Sequence, residues 1–217
     1  MVMNKLFKML LCGALLAFVL SSCQISDAER DYGFPLIYIP QATITGLDNT
    51  YPIPFGPIGQ NSTYSCKYNE KNGTLDIALG VIRAGAIKNA KGFSVSLGVS
   101  EEQTQRKLDE YTAKSVSAIA LPISLCDIPQ KINVERGKNS GTCYVSVDFE
   151  ELSTMSISDS GKYSLLVLGL QISEPTEYEL AEENTSVVIV IDLNSSYWDD
   201  LAENLPESVV RDLFPIL

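Results

Sequence analysis

The sequence predicts an all-β sandwich with one short inserted helix and a C-terminal helical tail, and three observations predict it. Short stretches alternate apolar and polar residues with a period of two, which turns one strand face to a core and the other to solvent. Turn signals separate these stretches at Asn72-Gly73, at 137–141 and at Asp159-Ser160-Gly161. Two near-continuous apolar runs, 163–172 and 187–193, call for cover on both faces of their strands.

The chain opens on Lys5 and Lys8, an apolar run over 9–20 and then Leu20-Ser21-Ser22-Cys23. A basic head, a short apolar stretch and small residues before a cut form a secretory signal. A dozen apolar residues fall short of the roughly 20 that a membrane-spanning helix needs. An aliphatic residue and two small ones before a cysteine resemble the lipobox of bacterial lipoproteins, in which that cysteine is cleaved and acylated. The plainer alternative is an ordinary signal that happens to end at a cysteine. Residues 1–22 are thus expected to leave as a signal peptide, Cys23 to carry lipid, and 23–33 to act as a polar tether. Asp27, Glu29 and Asp31 in that tether resemble a surface-export signal of Bacteroides-type lipoproteins, or serve only to keep it solvated.

The body is expected over 34–194. Leu36-Ile37-Tyr38-Ile39 is a strand stopped by Pro40, and 46–63, with Pro52, Pro54, Pro57, Gly56 and Gly59, is a long loop. Tyr64, Cys66 and Tyr68 alternate, and Leu75, Ile77 and Leu79 follow the Asn72-Gly73 turn on one face. Phe93, Val95, Leu97 and Val99 repeat the period. Ser100-Glu101-Glu102-Gln103 has the spacing of a capping box and opens a helix over 101–112, whose apolar stripe is only Leu108 and Tyr111. Ile132 and Val134, then Cys143, Val145, Val147 and Phe149, flank a turn-rich segment and predict a second hairpin. In the tail, 195–217, Trp198, Leu201, Leu205, Val209 and Leu213 recur near helical spacing around Pro206. A tail packed on the sandwich and a partner-binding helix both fit that pattern.

Of 217 residues, 16 are basic and 27 acidic, for a net charge of −11. Loss of the signal removes two lysines and no acid, leaving −13 on the mature chain. Such a surface repels nucleic acid and anionic membranes and argues against both as direct partners. Three cysteines remain beyond Cys23. A Cys126–Cys143 disulfide is one arrangement, and unpaired cysteines acting as small apolar residues are the other.

The sequence holds no histidine, which removes histidine-dependent triads, Cys-His pairs and histidine zinc sites together. The acidic doublets Glu150-Glu151, Glu182-Glu183 and Asp199-Asp200 lie in or beside turns and the tail, where solvated charge is expected. No catalytic residue, metal site or cofactor is predicted. The candidate binding residues are Tyr51 and Phe55 in the 46–60 loop, flanked by Asp48 and Asn49. Exposed rings among rigid prolines would stack on the apolar faces of sugars. Alternatively, both rings fold back and cap the sandwich.

The order of segments carries a resemblance. Ile37-Tyr38-Ile39-Pro40-Gln41-Ala42 comes first, then Leu121-Pro122, Cys126, Ile128-Pro129, the strand at 132–134 and Gly137, and last Tyr163 and Tyr178-Glu179-Leu180 leading into 187–192. Together these resemble an N-terminal domain of unknown function in Bacteroides-group lipoproteins, one that often precedes a glycosidase, lectin-like or discoidin-like domain in glycan-utilisation proteins. The resemblance implies an immunoglobulin-like sandwich anchored by lipid at the bacterial outer membrane, on the cell surface or its periplasmic face. It also implies a non-catalytic accessory or glycan-binding module of a polysaccharide-utilisation system, with a glycan and an outer-membrane uptake complex as partners. The competing expectation is a structural subunit or anchor of a fimbria-like surface assembly.

Overall fold

The computed structural model describes residues 33–46, 48–57, 62–152, 164–198 and 201. Cys23, the tether, the Asp159-Ser160-Gly161 turn and nearly all of the tail lie outside the described residues. Among the described residues, twelve strands form two sheets around one main core. They are β1 (Leu36–Tyr38), β2 (Thr50–Ile53), β3 (Cys66–Asn69), β4 (Thr74–Arg83), β5 (Phe93–Val99) and β6 (Ala118–Ala120). Then follow β7 (Cys126–Asp127), β8 (Lys131–Val134), β9 (Ser140–Asp148), β10 (Leu165–Ser173), β11 (Glu179–Leu180) and β12 (Ser186–Asp192). The helix α1 (Glu101–Ala113) is inserted between β5 and β6.

The first sheet runs β11-β1-β4-β9-β7, with β3 also on β4, and the second runs β2-β12-β10-β5-β8, with β6 also on β10. This is the expected β-sandwich with one inserted helix. Inward residues of β4, β5, β9, β10 and β12 interleave between the sheets, and Ile77, Leu79, Val95, Val145, Val147, Leu166 and Leu168 are all buried there. Tyr197 and Leu201, beyond the last strand, join the same cluster. Trp198 donates its indole N–H to the Asp192 carbonyl (2.7 Å) and packs against Phe149 and Tyr197.

The apolar runs of β10 and β12 are explained by α1. Val167, Val188 and Val190 point away from the main core into a second cluster, which Leu108 and Tyr111 help to cover. A two-residue stripe is enough, because Ala118 of β6 and Leu165 of β10 share in covering this cluster. Half of the predicted capping box forms: the Ser100 side chain accepts from the Gln103 N–H. Gln103 itself turns toward Asn49 and Arg106, and the Ser100 N–H goes to the Gly169 carbonyl.

The structure corrects three expectations. The 46–63 segment is not wholly loop, since 50–53 form β2, parallel to β12 along one edge of the second sheet. Proline is tolerated on an edge strand, where no neighbour needs its missing N–H, so Pro52 hides a strand from a composition-based reading. The 137–141 turn does not close a hairpin. β8 pairs with β5 and β9 with β4, so the chain changes sheets there. Gly141 permits the crossing, for a Cβ at that position would collide with the Asn133 carbonyl.

The third correction concerns the cysteines. Cys126 and Cys143 are both free thiols. Cys126 stands opposite Val147, four residues along β9 from Cys143, which at about 3.3 Å per residue is roughly 13 Å. A disulfide needs Cα atoms within about 7 Å.

Candidate functional site

The candidate loop divides into a buried part and an exposed part. Tyr51, inside β2, is 2% exposed and its ring belongs to the core. Burial, and secondarily the Cys66 thiol, pushes its phenol well above the ordinary tyrosine range, so it stays protonated. Tyr51 therefore cannot be half of an exposed aromatic platform. In a period-two strand it faces inward with Ile53, a register set by pairing with the distant β12.

Phe55 is 39% exposed, and the residue beside it is not Tyr51 but Tyr64, 74% exposed. The Tyr64 N–H donates to the Phe55 carbonyl (3.1 Å), so the two aromatic residues sit on adjoining segments. The Tyr64 ring lies against Gly56, where a Cβ would collide with it, and Gly56 has a φ of 92° that also favours glycine.

Ser65, wholly buried, braces this pair from below. Its hydroxyl accepts the Phe55 N–H (2.7 Å), and its carbonyl accepts the Ala78 N–H of β4 (2.8 Å) and, more weakly, the Tyr51 hydroxyl (3.4 Å). Thr63 completes the turn: its hydroxyl contacts that of Ser65 (3.1 Å) and accepts the Ser65 and Cys66 N–H groups (both 3.2 Å). Tyr51 thus supports the site without reaching its surface. Tyr64 was missed because its alternation with Cys66 and Tyr68 suggested a strand, whereas β3 begins only at Cys66.

Asp48 and Asn49 belong to a different feature. Asp48 accepts from Thr45 and from the Thr50 hydroxyl (2.9 Å) and pairs with Lys107 (3.3 Å), a lysine of α1 that is only 2% exposed. Lys107 also pairs with Glu110 (3.0 Å) and lies over the Tyr111 ring. Burial acts to raise the Asp48 carboxyl, but the bonds from Thr45 and Thr50, with the Lys107 charge, outweigh it and hold the carboxyl well below the usual range. Asn49, at a φ of 49° that asparagine tolerates, donates to Gln103 (3.2 Å) and Ser186 (3.0 Å) and accepts from Arg106 (2.8 Å). Together they clamp α1 to the edge of the second sheet. A polar cleft of about 540 Å³ opens beside them, lined by Arg106, Glu182, Glu183 and Asn184.

A carboxyl depressed by folding stabilises the native state above its unfolded value, about 3.9, and loses that contribution as pH falls through the window below. The α1 clamp is therefore expected to weaken below about pH 4. Thermal melts from pH 7 to pH 3 should show a steeper loss in the wild type than in Asp48→Asn, and parallel curves would remove Asp48 from the account.

The remaining chemistry is sparse. Burial pushes the Cys126 and Cys143 thiols up to about 11, which makes them poor nucleophiles. Among the described residues no group of three or more His, Cys, Asp or Glu is placed to hold a metal ion. Tyr144 is also exposed, on the outer face of the first sheet, but the Lys67 ammonium lies 5.7 Å from its ring centroid and engages it.

No protein-family model matches the chain, and no curated protein matches it. Among solved structures it is similar to a protein of unknown function from Bacteroides ovatus, at 12% identity and a TM-score of 0.49 over 72% of this chain and 45% of that one. A candidate carbohydrate-binding protein from the same species gives 11% and 0.46 over 73% and 37%. An auxiliary nutrient-binding protein from Bacteroides thetaiotaomicron gives 14% and 0.40 over 68% and 45%. The chain spans less than half the length of each.

Proposed function

We propose that this chain is a lipid-anchored, non-catalytic accessory module that contacts glycan through Phe55 and Tyr64 at the bacterial outer membrane. The observation that carries the reading is the aromatic pair itself, exposed on a turn that Ser65 and Thr63 hold in place. Exposed rings whose backbone is held by hydrogen bonds to buried Ser65 and to each other lose little freedom when a sugar stacks on them, which lowers the cost of a small contact. The Leu20-Ser21-Ser22-Cys23 motif supplies the anchor in this reading, and the lipid would keep the module beside its polymer. A fimbria-like subunit has less support. Pilin-type assembly adds a strand to an open edge, whereas at the ends of the two sheets β7 and β11 are two residues long, β2 carries Pro52, and β8, Lys131–Val134, is only four residues, short for such pairing.

Two experiments test the proposal. Cells grown with labelled palmitate should mark the wild type and not Cys23→Ala, and label retained by the variant would sink the anchor. Affinity electrophoresis through gels holding single polysaccharides should retard the wild-type protein with at least one of them. Retardation equal in Phe55→Ala/Tyr64→Ala would place the contact elsewhere.

A further inference from the structure

We infer that Arg83 is a site for a single carboxylate, received on the Nε–Nη2 edge of its guanidinium. β4 turns Leu75, Ile77, Leu79 and Val81 into the core, and the next position of that series is Arg83, only 4% exposed at the strand's last residue. A guanidinium taken out of water needs a carboxylate or a full set of hydrogen bonds to offset the loss. Arg83 has neither. Among the described residues no carboxylate pairs with it, and Glu177, beside Tyr178 in sequence, is taken by Lys91 (3.0 Å). Its Nη1 donates to the Ala84 and Gly85 carbonyls at 3.4 and 3.3 Å, beyond the usual range. Its buried Nε has no partner, and among the described residues Nη2 makes no hydrogen bond. The unused edge is the one that grips a carboxylate through two parallel bonds.

The Tyr178 ring covers the guanidinium, 5.2 Å from ring centroid to Cζ. Tyr178 also holds a φ of 67°, which bulky residues rarely adopt. Strain of this kind gathers at residues that clamp ligands, and displacement of the ring opens the Nε–Nη2 edge. One fixed positive charge suits one negative charge. Glu177 and Glu179 flank Tyr178 in sequence and the net charge is −11, which disfavours a phosphate dianion. The site does not depend on Phe55 and Tyr64. Arg83 lies five residues along β4 from Ala78, the partner of Ser65, or roughly 17 Å away.

The test is the thermal midpoint of the full-length expressed protein, purified in detergent, with sodium galacturonate, acetate, phosphate or galactose at pH 7 and sodium chloride holding ionic strength equal. A ligand that binds only the folded chain raises the midpoint with its concentration. Galacturonate is expected to raise it by at least about 2 °C at saturation, and galactose and phosphate to leave it unchanged. A rise with galacturonate alone assigns the carboxylate to a uronic acid, and an equal rise with acetate assigns the carboxylate without the sugar. Arg83→Met should abolish the rise. So should Arg83→Lys, which keeps the charge and loses the fork, and which decides the matter where Arg83→Met does not fold. Phe55→Ala/Tyr64→Ala should retain the rise, so failure at Arg83 and failure at the ring surface are read separately. A rise that survives Arg83→Lys, an equal rise with phosphate or galactose, or no rise at all would overturn the inference. Gly33 lies close against Gly85, and Asp31 stands two residues before it. A rise seen only in Asp31→Asn would show the edge already filled by the chain's own acid, and would overturn the inference as well.

Discussion

Replacing Tyr51 with alanine is expected to destabilise the protein by about 3–5 kcal/mol, the range for removing a large buried aromatic side chain. The ring is enclosed between β2 and the main core, and the hydroxyl helps hold Ser65, which organises the turn above it. The loss should therefore appear twice: a lower midpoint in urea, and faster amide exchange at Phe55, whose N–H is held by Ser65, in whatever remains folded. Phe55→Ala and Tyr64→Ala change exposed rings and should stay within about 0.5 kcal/mol of the wild type, as surface changes usually do. Chemical denaturation of the three variants checks the contrast. A Tyr51→Ala protein as stable as Tyr64→Ala would mean that the ring is not in the core.

The second large effect is expected at Gly169, in the middle of β10. Its N–H bonds the Thr104 hydroxyl (2.8 Å) and its carbonyl accepts the Ser100 N–H (2.8 Å), so the start of α1 rests directly on this residue. A Cβ built there would fall 2.6 Å from the Ser100 carbonyl oxygen and 2.8 Å from the Thr104 nitrogen, both backbone atoms. Backbone cannot turn aside as a side chain can, so Gly169→Ala must lift α1 from the sheet. Overpacking of this kind costs about 1–3 kcal/mol, to which exposure of Val167 and Val188 would add. Hydrogen exchange should locate the damage, with protection lost in α1 and the β10–β12 centre and kept in β4 and β9. An unchanged midpoint and unchanged exchange would contradict the close approach.

Much of the fold was legible because burial on one face leaves a period of two, as at Leu75, Ile77 and Leu79, while burial on both faces leaves a continuous run, as in β10 and β12. Pairing was less legible. The alternation in β8 and β9 shows which residues point inward, but nothing local says that the strands between the 137–141 turn belong to different sheets. That follows from partners distant in sequence, β5 and β4. The candidate site was half legible for the same reason. Proline and glycine around Phe55 marked a turn correctly, yet Tyr51 and Tyr64 exchanged places. The inward face of β2 is set by its parallel register with β12, in which Tyr51 stands opposite Ile189. Asp48 and Asn49 looked like ligands because they are polar and flank the loop. Their partners, Lys107, Gln103, Arg106 and Ser186, lie on elements that no local pattern could bring to them.

The central claim is that Phe55 and Tyr64 form a glycan-contacting surface on a fold that does not need them. The most direct test is isothermal titration of the wild type and of Phe55→Ala/Tyr64→Ala with a polysaccharide that retards the wild type, after both proteins have given the same thermal midpoint. The account predicts weak binding to the wild type and a loss of at least about tenfold, or about 1.4 kcal/mol, in the double variant. Equal affinity in two equally stable proteins would contradict it.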